Sequence, residues 1–282
     1  MILKTLLLCL VLAPLTSPVQ AQIWENITGY IKGESPPESP AIRIRLVHGV
    51  DEVQLGVRGK YSLFDPRTNE RMSRRLAGKS RSIQALGDGL KWGETFPGLY
   101  QIKIRPDSAE TILLVDGGEY EGTMYVYDIQ GKISVVNEIP VESYTHAALD
   151  AYQHLDLEKE TWAALAIAIR TYTYFEATHP KNAYWTVDAQ DVNYKGITST
   201  SPPIDDAMRQ TRYMILSRTG IYEGTATPFP AQFNGPDGRY PKSGELSKIS
   251  LEEANAMAKK GAHAAQILAK AFPGSTIMLM PY

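Results

Sequence analysis

Between Ala41 and Asn137 the chain alternates. In "IRIRLV" (Ile42 to Val47), apolar and basic positions follow one another singly. "EVQLGV" (Glu52 to Val57) and "LYQIKIR" (Leu99 to Arg105) repeat the pattern. A period of two is that of a strand with one face on a core. "TILLV", "TMYVYDI" and "KISVVN" follow, separated by turns at Asp116-Gly117-Gly118 and Gln130-Gly131. Beyond Asn137 the period lengthens. Pro140 suits the first turn of a helix that continues through "VESYTHAALDAY" (Val141 to Tyr152). A longer helix is predicted from about Leu157 to Ala177, with Pro180 stopping it. Three further helical stretches are "DDAMRQT", "LEEANAMAKKGA" and "AAQILAKAF", and "RYMILS" and "STIMLM" read as short strands. The fold class is therefore α+β, with a β-rich region over 41–136 and a mixed helical and strand region over 137–282.

The long helix poses a question. "WAALAIAIRTYTYFEA" (Trp162 to Ala177) opens on eight apolar residues and then brings Arg170, Thr171 and Tyr172. A buried guanidinium needs partners, because desolvating it alone costs several kcal/mol. Arg170 is either a core ion-pair partner of an acid such as Glu142 or Asp188, or part of a cleft wall that holds a polar ligand.

The N-terminus changes the picture. "MILKTLLLCLVLAPLTSPVQAQ" has a basic start at Lys4, an apolar run over Thr5 to Val19 and small residues up to Ala21. It reads as a secretory signal peptide over residues 1–21, too short to span a bilayer as a retained anchor. Export to the periplasm or cell envelope is expected, with no membrane span after cleavage. Residues 22–40 end in "GESPPESP" and read as a Pro-rich linker. Cys9 is the sole cysteine and lies in the signal segment, so no disulfide or thiolate metal site is expected. The net charge of -2 argues against a nucleic-acid binder. The stretch "RMSRRLAGKSR" (Arg71 to Arg81) holds five basic residues and no acid. It reads as a solvated loop or as a contact with an anionic envelope polymer. Apart from His146 and His154, eight apart on different turns, no histidine pair has ligand-like spacing, so neither metal nor cofactor is expected.

Several ordered motifs resemble those of one family. "VVNEIPVESY" (Val135 to Tyr144) is followed by "IRTY" (Ile169 to Tyr172), "YKG" (Tyr194 to Gly196), "AMRQT" (Ala207 to Thr211) and "ANAMAKKGAHAAQILAKAFPG" (Ala254 to Gly274). "YEG" (Tyr120 to Gly122) precedes them. The set resembles the stage II sporulation protein D / amidase-enhancer (SpoIID/LytB) family, whose members typically read "VVNELPLEDYL…AEMP…AARTYA". The resemblance implies a secreted protein acting on peptidoglycan. Active members are lytic transglycosylases that cut glycan strands stripped of stem peptides. One glutamate first protonates the glycosidic oxygen. It then helps the sugar's own hydroxyl close an anhydro ring, unlike the two-carboxylate glycosidases.

The chain departs from this pattern at the acid. The family glutamate falls eight residues after the tyrosine that matches Tyr144 and eighteen before the arginine that matches Arg170. Both counts reach Tyr152. Tyrosine, ordinarily titrating near 10, is a poor acid for a glycosidic oxygen at neutral pH. Asp150 is the nearest substitute, although positions two apart on a helix do not face the same way. Asp156 and Glu245 are further options. Other polar positions also differ: Asp191-Val192 stand for the family's "CQ", Glu245 and Leu251 for its histidine and glutamine, and "NGPDG" (Asn234 to Gly238) for "SSxGG".

The resemblance implies a cleft lined by Arg170, Thr171, Tyr172 and Tyr194, with Glu142 and Tyr152 beside them. Peptidoglycan glycan strands are the expected partner, bound in wall remodelling with weak or no cleavage. The alternatives are an active lytic transglycosylase with a non-standard acid, and a scaffold that activates a cell-wall amidase.

Overall fold

The computed structural model describes residues 40–280 apart from 77, 181, 200, 220–225 and 235–243. The expected signal peptide and all but the last residue of the expected linker lie outside the described residues, as does most of "NGPDG".

The alternating segments form two sheets around a common core. Strands β1 (Ala41–Val50), β3 (Tyr61–Asp65), β4 (Glu70–Arg75), β8 (Gln101–Pro106), β11 (Thr123–Ile129) and β12 (Lys132–Pro140) belong to a seven-stranded sheet. A short β13 (Val187–Asp188) completes it, running parallel to β1. The order is β13-β1-β12-β11-β8-β3-β4. Strands β2 (Glu52–Arg58), β5 (Gly78–Leu86), β6 (Gly89–Trp92), β7 (Glu94–Pro97), β9 (Ile112–Val115) and β10 (Gly118–Tyr120) form a second sheet, ordered β10-β9-β2-β5-β6-β7. Alternation does what period two requires. Ile102 and Ile104 are fully buried, as are Leu55, Ile83 and Leu113 from the other sheet, all in one hydrophobic cluster. The intervening Lys103 and Arg105 lie over the aromatic faces of Tyr125 and Phe64.

The basic stretch is not a loop. Arg71 to Arg75 lie in β4 and Arg81 in β5, and Arg74 and Arg75 pair with Asp107 and Glu94. These acids, distant in sequence, neutralise much of the charge that the local run displays.

β12 runs on through Pro140, and helix α1 (Val141–Leu149) follows directly, with Pro140 as its N-cap. A 3-10 turn (Asp150–Tyr152) ends it. Helix α2 (Lys159–Thr178) is buried almost throughout from Thr161 to Tyr174. It is apolar on nearly every side because neighbours pack on nearly every side. Those neighbours include α3 (Pro202–Gln210), β14 (Met214–Arg218), β15 (Ala231–Asn234), β16 (Glu245–Ser250), α4 (Leu251–Lys259) and α5 (Ala264–Ala271). β17 (Ser275–Leu279) pairs antiparallel with β14, and β15 pairs parallel with β16. The architecture is α+β with a β-rich first half. No helix among the described residues is long and apolar enough to cross a membrane.

Candidate functional site

The arginine of the long helix is the first feature to resolve. Arg170 is fully buried. Its Nε donates to Glu142 Oε1 at 2.7 Å and its Nη2 to Glu142 Oε2 at 3.0 Å, a two-pronged ion pair. Nη1 donates to the Met214 carbonyl at 3.1 Å and to Thr211 Oγ1 at 3.4 Å. Glu142 Oε1 also accepts from the Tyr213 backbone N–H at 3.2 Å. One side chain thus ties α1, α2, α3's C-terminus and β14 together. Thr171 adds a second tie: its hydroxyl donates to the Ile167 carbonyl and accepts from the Leu216 N–H at 2.8 Å. The expectation that Arg170 and Thr171 line a cleft is corrected. Both are fully buried and border neither cavity described below, because β14 and α3 close over this side of α2. Asp188, the other candidate partner, pairs with Arg45 instead.

A second buried polar tie links two motifs. Asn137 on β12 is fully buried; its Nδ2 donates to the carbonyls of Glu121 and Thr123, and its Oδ1 accepts from the Tyr194 hydroxyl at 2.8 Å. The adjoining Gly196 has a φ of +91°, and a Cβ there would lie 2.1 Å from the Glu119 carbonyl. Only glycine permits that turn and that approach. Sequence reading missed Asn137. A polar residue ending an otherwise apolar strand run was the available signal.

The principal cavity has a volume of about 520 Å³ and opens beside the end of α1. Tyr152, Asp150 and Tyr172 line it together, with Tyr144, His154, Asn193, Lys195 and Gln232 supplying further polar groups. Leu165, Ala168, Ile169 and Phe233 make an apolar wall. Asp150 and Tyr152 both border this cavity, in the 3-10 turn that follows the end of α1 at Leu149. Asp150 also accepts a hydrogen bond from Gln153. The other two substitute acids are elsewhere. Asp156 is exposed and Glu245 pairs with Arg218; neither borders the cavity. Val192 does border it, whereas Leu251 is buried in the core at the start of α4.

Tyr194 and Glu142 border a different cavity of about 400 Å³, with Glu121, His146 and Met208. The two cavities share Ala147 and Thr198. His146 Nε2 donates to the Asp205 carboxylate at 2.9 Å at this second site. The predicted site residues therefore divide three ways: Tyr152, Asp150 and Tyr172 in the larger cavity, Tyr194 and Glu142 in the smaller, Arg170 and Thr171 in the framework.

The larger cavity is electrostatically unusual on one side. Burial pushes the Tyr172 phenol far above the ordinary tyrosine range; the Glu176 carboxylate, to which it hydrogen-bonds, and the nearby Tyr144 and Asp191 add to the effect. Tyr144 is raised by burial and then by Glu176. Both phenols stay neutral at physiological pH and offer hydrogen bonds rather than acid strength. Glu176 is itself only 2% exposed. It sits one helical turn after Tyr172, a spacing that could have flagged it. Among the described residues no group of three or more His, Cys, Asp or Glu is arranged to hold a metal. A cavity of this size, apolar on one wall with a few converging polar groups, has the make-up of a ligand site.

The fold is thus α+β, with a cavity at the end of α1 and the Glu142–Arg170 pair joining α1 to α2. Residues 129–217 match the family model SpoIID, stage II sporulation protein. That span contains Glu142, Asp150, Tyr152, Arg170, Thr171, Tyr172 and Tyr194. The chain is also similar to uncharacterized proteins of Chlamydia muridarum (29% identical over 63% of this chain and 63% of that protein) and Chlamydia pneumoniae (28% over 66% and 69%). A third, from Brachyspira hyodysenteriae, is 24% identical over 69% of this chain and 52% of its own length. The chain thus spans under two thirds of the length of the Chlamydia muridarum relative. No solved structure matches it.

Proposed function

We propose that this is an exported cell-envelope protein that binds peptidoglycan glycan strands during wall remodelling, with weak or no cleavage. The SpoIID match supports a cell-wall-related role. The observation that carries the finer reading is Tyr152 on the wall of the larger cavity, where the family glutamate is expected. The cavity keeps the features a sugar needs, namely aromatic rings, neutral hydroxyls and amide groups. It lacks the family's acid at that position. General acid catalysis contributes roughly 10²- to 10⁴-fold to rate, so its loss leaves binding as the dominant activity.

Asp150 favours a second reading. It is the carboxylate on the same wall, and an active lytic transglycosylase would use it as the substitute acid. Purified protein on isolated sacculi, intact and stripped of stem peptides, separates the readings. Pelleting without new anhydro-sugar ends is the expected result. Product formation abolished by Asp150→Asn would establish the second reading. Neither pelleting nor product would leave amidase activation as the role to test.

A further inference from the structure

Strand register places a run of cations on the outer face of the seven-stranded sheet. Lys103 on β8, Phe64 on β3 and Arg71 on β4 are direct cross-strand partners, so their side chains leave the sheet on one side. The other side carries Ile102, Ile104 and Leu63, all fully buried in the core. Lys103 and Arg71 flank Phe64 from strands about 10 Å apart. Arg105, two residues along β8 from Lys103, fills the gap, with its guanidinium 4.3 Å from the centre of the Phe64 ring. Among the described residues Arg71, Lys103 and Arg105 pair with no carboxylate. By contrast Arg43, Arg45, Arg58, Arg67, Arg74 and Arg75 each have one. The excess is local, because the whole chain carries a net charge of -2. Like charges on neighbouring strands oppose one another, so the fold gains nothing from collecting these three without acids.

We propose that Arg71, Lys103 and Arg105 form a docking surface for a linear phosphate-bearing polymer. The surface is separate from both cavities and goes beyond the glycan reading. Guanidinium groups take phosphate oxygens two at a time, and the ammonium adds a third positive point along the line. Arg105 is already held over a ring, so it loses little freedom when it takes a phosphate. The rings beneath the cations are covered. Phe64 lies under Arg105, and Tyr125 lies under Arg43 and Lys103; each ring residue is 5% exposed. Covered rings give no face for a nucleobase to stack on and no apolar edge to enter a bilayer. A polymer with charge along its own backbone needs neither.

Retention of the full chain on immobilised long-chain polyphosphate, followed against salt, tests the assignment. The wild type is expected to bind at low salt and to elute as salt rises. Arg71→Gln/Lys103→Gln/Arg105→Gln should lose most of the retention. Its slope of log affinity against log salt should fall by about two, since each contact to a single-stranded polyanion contributes about 0.7. Arg71→Gln alone, at an exposed position on the edge strand β4, should lower the slope by about 0.7 and decides the matter if the triple variant does not fold. Lys259→Gln/Lys260→Gln/Lys270→Gln removes the same charge from exposed positions elsewhere and should keep the wild-type slope. A wild type that is not retained overturns the proposal. So does a folded triple or single variant with the wild-type slope, or an equal loss in the control at Lys259, Lys260 and Lys270. Tighter binding to phosphatidylglycerol vesicles or to oligothymidylate than to polyphosphate in the same buffer overturns the choice of polymer, in favour of a lipid surface or a nucleic acid.

Discussion

Arg170 and Tyr152 belong to the same domain and come from consecutive helical segments, yet they answer to opposite constraints. Arg170 is fully enclosed and spends all three of its guanidinium nitrogens on protein partners. Tyr152 stands on a cavity wall, half-buried, next to Asp150 and within the same lining as Tyr172. Both fall at positions that resemble landmarks of one family. Where the landmark braces the fold, this chain keeps the family's residue type. Where the landmark is the acid, it carries a phenol. A buried ion pair cannot lose one member without stranding the other, whereas a cavity wall tolerates a change of side chain at little cost to stability. A buried tie is therefore held more firmly than a residue on a cavity wall.

The sharpest way to break this comparison is at Arg170. Arg170→Met is expected to destabilise the protein by about 3 kcal/mol or more, since it leaves the Glu142 carboxylate with little besides the Tyr213 N–H. Urea denaturation followed by circular dichroism measures it. An Arg170→Met protein that unfolds at the wild-type midpoint but no longer pellets with sacculi would return the arginine to the ligand site.

Next in size is Tyr194→Phe. The change removes one buried hydrogen bond and leaves Asn137 Oδ1 without its donor, which costs about 2 kcal/mol. The Tyr194 ring remains on the smaller cavity, packed 6.0 Å from the rings of Tyr120 and Tyr144. Glycan binding should hence survive in the folded fraction. A loss of binding with no loss of stability would make the hydroxyl a ligand contact.

These two ties mark the limit of what could be read from the chain. Period two gave the strands because a sheet face repeats every second residue, and Ile42, Ile44, Ile102 and Ile104 are all fully buried as that period requires. The long helix was legible from its apolar run and from Pro180 just beyond its end. The boundary near Asn137 was less so. Pro140 closes a strand and caps a helix at once, and local pattern favoured the helix. The role of Arg170 was legible only as a pair of alternatives. Choosing between them needed Met214, Thr211 and Tyr213, which lie more than forty residues away along the chain.

Tyr172→Phe probes the cavity side with a smaller effect. At neutral pH the loss of the hydrogen bond to Glu176 is expected to cost about 1 kcal/mol. The clearer signature is at high pH. The folded Tyr172 titrates above the unfolded value, so the native state holds the phenolic proton after the unfolded chain has released it. The associated stability is complete below about pH 10 and is lost as pH rises from there toward the folded value. Wild-type stability should fall above pH 10 more steeply than that of Tyr172→Phe. Parallel alkaline limbs for the two proteins would mean that Tyr172 does not hold the buried proton.

The smallest stability effect is expected at the acid position itself, where the two readings of function part. Asp150 and Tyr152 sit in a short 3-10 turn at the cavity's edge, neither fully buried. Substitutions there should shift stability by about 0.5 kcal/mol or less. Asp150→Asn keeps the shape and removes the charge. If the protein only binds glycan, this variant pellets with sacculi as the wild type does, and both release background amounts of anhydro-sugar ends. Tyr152→Glu returns a carboxylate to the family's position. It is expected to give measurable but slow cleavage, because Val192 borders the cavity where the family has a polar residue and Glu245 is held away by Arg218. The order of turnover is then Tyr152→Glu above wild type, with wild type equal to Asp150→Asn. The opposite order, with wild type active and Asp150→Asn inert at unchanged stability, would mean that the acid moved two residues along the chain rather than being lost.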